Sequence, residues 1–304
     1  MPETQVRPFA RADRDQLATL VNAHISAVVP GVSVSVQALL SHLERDPGEF
    51  VVDPWVTQRL TLVAEQRSRV VAAAHLLRYG DDERVGRQFR DTAEIRWLVC
   101  WPAAPYWPDA PAAGAALMEA CLRTFGSWEV RGTFADGSLP APGVFGVPEQ
   151  WPHVAGLYAR AGFAGSRRET VLIAATDRLA QGLPRPDLPL QLRRTLGING
   201  TRFSAWDGDV VLGYLEIDTN LGEAGRFSRG WGWADVGNLH IEESARRQGV
   251  ATWLLAHAVD WLELGGIGRM LTYLGEEDGP PEAAFWASAG FATLTTTTRL
   301  WQRG

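Results

Sequence analysis

The sequence predicts a mixed α/β fold, built twice in tandem, on three observations that recur in the same order in both halves. Leu157–Phe163 reads LYARAGF and Phe285–Phe291 reads FWASAGF, identical at four of seven positions. Upstream of each lies a strand-like stretch opening on alanine, a carboxylate and a β-branched residue, AEIRWLVCW (Ala93–Trp101) and ADVGNLHIE (Ala234–Glu242). Further upstream, RLTLVAEQRSRVVAAAHLL and TRFSAWDGDVVLGYLEI alternate apolar and polar residues around a polar turn, the pattern of a half-buried hairpin.

Taken in order, the first half opens with a strand at Gln5–Phe9 and two helices, Arg14–Ala27 and Val34–Leu43. Its hairpin, strand, helix, strand, short helix ending in Ala-Gly-Phe and last strand follow. Between the halves, QGLPRPDLPL (Gln181–Leu190) carries three prolines, which remove donors and fix φ, so it reads as a linker. The second half opens on a strand at Leu190–Leu196 and reaches its hairpin through Gly-Ile-Asn-Gly alone, so it lacks the first two helices. Its next strand, Val236–Ile241, leads to a helix from about Thr252 to Leu264, with Leu254, Leu255, Ala258, Trp261 and Leu262 on one face and Gly265 as its stop. The predicted boundaries are 1–180 for the first domain, 181–190 for the linker and 191–304 for the second.

Composition removes several chemistries. All 29 basic residues are arginine, so no lysine nucleophile or Schiff base is available. The formal charge is −6, with no basic run to neutralise a phosphate backbone, which argues against nucleic acid and suits a cationic substrate. Two cysteines, Cys100 and Cys121, are too few for a disulfide framework; the charged start MPETQVRPFARADRDQ does not read as a signal peptide, and no apolar run reaches the ~20 residues of a membrane span. The expectation is a cytoplasmic protein with no membrane or metal site.

Chemistry concentrates where strand Val236–Ile241 runs through EESARRQGVAT into the helix. Arg246, Gly249 and Ala251 are spaced R-x-x-G-x-A: small residues admit a ligand to the backbone, the helix start offers unpaired N–H groups, and arginine adds charge, a combination suited to pyrophosphate. The strand, this turn, the helix and the later aromatic-x3-Gly-Phe together resemble the GNAT family of acyl-CoA-dependent N-acetyltransferases, and the whole chain resembles a tandem GNAT with a degenerate first unit. The resemblance implies that Arg246, Arg247, Gln248, Gly249, Val250, Ala251 and Thr252 hold the pyrophosphate of acetyl-CoA as co-substrate. It places Leu239, His240 and Ile241 along the pantetheine and thioester, with a strand N–H polarising the carbonyl. The equivalent stretch of the first half, CWPAAPYWPDAPAAGAALMEA, has no arginine, four prolines, Asp109 and only Gly114 as a candidate glycine, so no coenzyme A is expected there.

A protonated amine must lose a proton before it attacks a thioester. Asp235 falls where members of the family carry a carboxylate base, and Glu216 and His240 are rivals. The position at which many members carry a tyrosine acid is Trp286 here, and an indole N–H is too weak an acid, so Tyr273, water or unassisted departure of the thiolate replaces it. Glu276, Glu277 and Asp278 would attract a cationic amine, and Trp231, Trp233 and the loop Trp101–Pro108 read either as acceptor walls or as packing. The function expected is acetyl transfer from acetyl-CoA to a small-molecule amine by direct attack, in a monomer with an internal pseudo-dimer or a homodimer. The alternatives are a non-catalytic acyl-CoA-binding or sensing protein, and a tandem GNAT that uses another acyl-CoA or resembles mycothiol synthase.

Overall fold

A computed structural model describes residues 3–44, 55–103, 107–135, 144–219 and 232–304. The first unit comprises residues 1–168 and 297–304, the second 169–296.

The first unit runs β1 (Gln5–Pro8), α1 (Arg14–Val28), α2 (Val36–Leu43), β2 (Val56–Gln66), β3 (Arg69–Tyr79), β4 (Thr92–Cys100), α3 (Ala110–Ser127), β5 (Gly132–Phe134), β6 (Val147–Pro148), α4 (Pro152–Arg160) and β7 (Phe163–Ala164). Both predicted opening helices are present. α2 begins where Ser35 accepts the N–H of Ala38 at 3.1 Å, satisfying a donor that has no helical partner. Arg67 and Ser68 turn the β2–β3 hairpin with φ of 51° and 59°, the positive pair a two-residue hairpin turn requires.

The second unit contains β8 (Arg167–Ala175), α5 (Thr176–Gly182), β9 (Gln191–Gly197), β10 (Gly200–Asp207), β11 (Val210–Asp218), β12 (Gly232–Ile241), α6 (Val250–Leu264), β13 (Ile267–Gly275), α7 (Pro280–Ser288) and β14 (Ala292–Arg299), with β15 (Gln302–Arg303) closing the chain. As the sequence predicts, no helix stands between β9 and β10. Its strands lie in the order β14-β8-β13-β12-β11-β10-β9. Leu254, Leu255, Ala258, Val259 and Leu262 of α6 pack on Phe203, Leu215, Ile217, Val236 and Met270. Each of the buried leucine, valine, isoleucine, methionine and phenylalanine side chains contributes about 1.5–3 kcal/mol.

The division differs from the predicted 181–190 boundary. β8 hydrogen-bonds β13 from Glu169↔Gly275 to Ala175↔Arg269, so the second unit starts before the proline-rich segment. That segment lies against α6, where Arg185 forks onto Asp260 with two bonds of 2.8 Å. The chain end returns to the first unit: β15 sits between β5 and β7, pairing Gln302 with Phe134 and Ala164. The first sheet therefore reads β1-β2-β3-β4-β5-β15-β7. Periodicity announces a strand but not its partner, which is why the placement of β8 and β15 is not legible in the sequence.

Candidate active site

The R-x-x-G-x-A segment forms the entrance to α6. Gly249 caps the helix with φ of 85°, a left-handed conformation cheap only for glycine, and no side chain caps this end. The first intrahelical bond of this end runs from Trp253 N–H to Gly249 O (2.9 Å), which leaves the N–H groups of the preceding turn without helical acceptors. Arg247 is itself held at φ of 61°, strain that is kept where a neighbouring geometry demands it. Arg246 donates from Nε to Ile241 O (3.2 Å) and Gln248 from Nε2 to Ser244 O (2.7 Å), so both side chains brace the loop around the helix start.

Beside this entrance, β12 is bulged and parted from β13. The β11–β12 register passes from Glu216↔Asn238 to Ile217↔Val236, leaving Gly237 as the extra residue. The parallel β12–β13 ladder covers only Gly232–Asp235, against Ile267–Leu271, so the strands diverge beyond Asp235. Leu239 and Ile241 pack partly on the core beneath α6. His240 points to the open surface, its ring 5.6 Å from that of Tyr214 and its Nε2 3.4 Å from Glu242 Oε1.

Of the proposed proton carriers, the structure brings Asp235 and Tyr273 together: the phenol donates to Asp235 Oδ2 at 3.4 Å. Asp218 stands directly across the ladder from Asp235. Burial, with the neighbouring Asp218 charge second, pushes the Asp235 carboxyl up to about 7, against the hydrogen bond from Tyr273. Asp218 was missed in the sequence; the alternation of Glu216 and Asp218 along one face of β11 was the available signal.

Glu216 has a different task. None of it is exposed, and it accepts from Arg202 Nε (2.7 Å), Ile198 N–H (3.2 Å) and Asn199 N–H (3.1 Å). Burial raises the Glu216 carboxyl, but the hydrogen bonds from Arg202 and from the N–H groups of Asn199 and Ile198 together outweigh it and lower its pKa, which suits a structural carboxylate rather than a base. Trp286 is 1% exposed, edge-on to Phe285 and Phe291, and its Nε1 has no hydrogen-bond partner. Trp233 is buried beneath Arg269, 4.9 Å from the ring, so it packs rather than faces an acceptor; Trp231 lies outside the described residues. Asp278 is drawn into its own turn, where it accepts from Gly275 N–H at 2.7 Å.

The first unit repeats the bulge without the entrance. Its β3–β4 register passes from His75↔Trp97 to Leu76↔Ile95, leaving Arg96 extra, and Glu94 occupies the place of Asp235. α3, however, begins with a proline in its first turn, after Asp109, whose carboxylate lies 3.5 Å from Arg67. Gly114 is no loop glycine: it is buried within α3, where a Cβ would come 2.8 Å from Leu157 Cδ1. Trp107 donates to Gln66 Oε1 at 2.6 Å, which ties this tryptophan to the end of β2; residues 104–106 of the loop lie outside the described residues. Among the described residues no group of three or more His, Cys, Asp or Glu could hold a metal, and no helix is long and apolar enough to cross a membrane.

Comparison with known proteins agrees with this geometry. Residues 172–291 match the acetyltransferase (GNAT) family model. Among solved structures, a tandem GNAT protein from the clavulanic acid biosynthesis pathway superposes with a TM-score of 0.59 at 17% identity, covering 99% of this chain and 98% of that one. A GCN5-related N-acetyltransferase from Sphaerobacter thermophilus gives 0.58 at 13%, covering 99% and 95%. A glucosamine N-acetyltransferase region of a fungal multi-domain β-N-acetylglucosaminidase gives 0.60 at 13%, covering 99% of this chain and 38% of that one. No curated protein sequence matches the chain. Bulge, divergent strands and glycine-led helix entrance lie within residues 172–291, which match the acetyltransferase (GNAT) family model, and the chain as a whole shares the fold of the tandem GNAT protein.

Proposed function

We propose that the chain is an acyl-CoA-dependent N-acetyltransferase in which the second unit takes acetyl-CoA and transfers its acetyl group to a small-molecule amine. The observation that carries this reading is the meeting, in one unit, of an uncapped glycine-led helix start, a cleft between diverging strands and a carboxyl group raised to about 7. The donor set fits the co-substrate: the α6 entrance, with Arg246 and the backbone of residues 248–252, would hold a pyrophosphate. The open side of β12 would take the extended pantetheine arm. When bound, acetyl-CoA supplies an activated thioester carbonyl.

The protein's part is positioning and proton transfer. Asp235, ionised in about half the molecules near neutral pH, takes a proton from the amine, and Tyr273 holds the carboxylate's orientation through its hydroxyl. Backbone N–H groups at the bulge would stabilise charge on the carbonyl oxygen. Trp286 supplies no proton, so the thiolate, whose conjugate acid has a pKa of ~8.5, departs as such or takes a proton from water. The acidic balance of the chain, −6, favours a cationic acceptor, and a cytoplasmic monomer is the setting we favour.

Release of free thiol from acetyl-CoA, followed across a panel of amines, tests the reading: amine-dependent release that is lost in Asp235→Asn supports it. The buried Trp286 in place of an acid favours a second reading, a non-catalytic acyl-CoA binder. Tight acetyl-CoA binding with no thiol release for any amine would select that alternative.

A further inference from the structure

The two units cover the row beside the bulge by different means. In the first unit that row is Thr61–His75–Trp97, and His42 of α2 lies over it, accepting from Trp97 Nε1 at 3.4 Å with its ring 5.2 Å from His75. In the second unit the row is Arg202–Glu216–Asn238, and only Gly197-Ile198-Asn199-Gly200 connects β9 to β10. That turn folds over the same row. Glu216 accepts from the N–H groups of Ile198 and Asn199, and Asn199 reaches across β11 to donate from Nδ2 to Gly237 O at 3.3 Å.

Three absent side chains make the approach possible. A Cβ on Gly197 would lie 2.5 Å from Glu216 Oε1, one on Gly200 2.3 Å from Ile217 O, and one on Gly237 2.3 Å from Asn199 Cβ. The turn is thus pressed onto the bulge, with Glu216 beneath it and Asn199 as the strut.

We propose that the Gly197–Gly200 turn does in the second unit what α2 does in the first, and that Asn199 is a positioning residue for acetyl transfer: by holding the Gly237 carbonyl it fixes the peptide plane of the bulge and hence the direction of its N–H groups. A peptide is planar, so anchoring the oxygen of Gly237 also orients the N–H of Asn238. A bulge held this way keeps its donors preorganised for the acyl oxygen, and no helix is needed for the task. Asn199 need touch neither acetyl-CoA nor the amine.

The inference rests on the acetyl-CoA reading, and its test separates the two. Acetyl-CoA and CoA are titrated calorimetrically into wild type, Asn199→Ala and, as a control, Leu196→Ala, whose side chain belongs to a residue 92% exposed. Amide hydrogen exchange at Asn238 and Leu239 is followed in parallel. Loss of one hydrogen bond is expected to weaken acetyl-CoA binding about fivefold in Asn199→Ala. CoA affinity and melting temperature stay at the wild-type level, exchange at the two amides quickens, and Leu196→Ala resembles wild type. Unchanged affinities and exchange in Asn199→Ala overturn the strut while the acetyl-CoA reading stands. Equal loss for both ligands with a lowered melting temperature also overturns it, because that is a purely structural effect. If wild type binds neither ligand, the underlying reading fails and the proposal falls with it.

Discussion

Asp235→Asn is the substitution whose effect follows most directly from the structure, and it needs no knowledge of the acceptor. Burial, with the Asp218 charge second, pushes the folded carboxyl from its ordinary value of 3.8 up to about 7. At 1.36 kcal/mol per unit the ceiling on the cost of ionising it in place is about 4 kcal/mol. Asp235 is only part-buried, and water screens it; we take half, about 2 kcal/mol. The sign follows from proton counts. Between about pH 4 and 7 the folded protein keeps a proton that the unfolded chain has released, so stability falls as pH rises through this window and levels off above it. Asparagine removes the charge. Melting curves of wild type and Asp235→Asn should coincide near pH 4 and separate by about 4–8 °C in favour of the variant at pH 8, taking 2–4 °C per kcal/mol. Turnover moves the opposite way, with the variant losing far more at pH 7 than at pH 9, where more of the amine is already deprotonated. A melting difference independent of pH, or a variant less stable at pH 8, would refute the placement of Asp235 in a desolvated site facing Asp218.

Arg246→Ala, removing one charge-assisted contact worth about 1.5–3 kcal/mol, should weaken acetyl-CoA at least tenfold by calorimetry. Gly249→Ala, which puts a side chain on a residue with φ of 85°, should cost about 1–2 kcal/mol at the helix start and weaken the same ligand. Gly114→Ala forces a methyl against Leu157 and should destabilise the first unit by about 1–3 kcal/mol in denaturant titration, with acetyl-CoA affinity unchanged. Trp301→Ala empties a site 7% exposed and packed 5.6 Å from the Tyr158 ring; the first unit should lose about 3–5 kcal/mol and become sensitive to limited proteolysis.

What was legible in the sequence is what depends on local pattern. The hairpins, the two helices present in one half and missing from the other, and the α6 entrance follow from alternation, Gly and Pro placement and the R-x-x-G-x-A spacing, and the structure shows each within a few residues. What was not legible depends on pairing across the sheet. Glu216 and Asp235 look alike in a string of letters; only the register sets one against Arg202 and two backbone donors and the other against Asp218. Gly114, the candidate glycine of the first half, lies inside a helix that begins before it, which the letters alone do not show. The placement of β8 and β15 is likewise a matter of partners, and a two-residue strand such as Gln302–Arg303 has no periodicity to reveal it.

In the function proposed above, one unit of the two takes the acyl donor. Calorimetric titration of acetyl-CoA into the purified chain, repeated with Arg246→Ala, tests it most directly. One site per chain, weakened tenfold or more by the substitution, is the predicted result. Two sites, or one site indifferent to Arg246, would place the ligand elsewhere, and no binding would contradict the acetyl-CoA reading altogether.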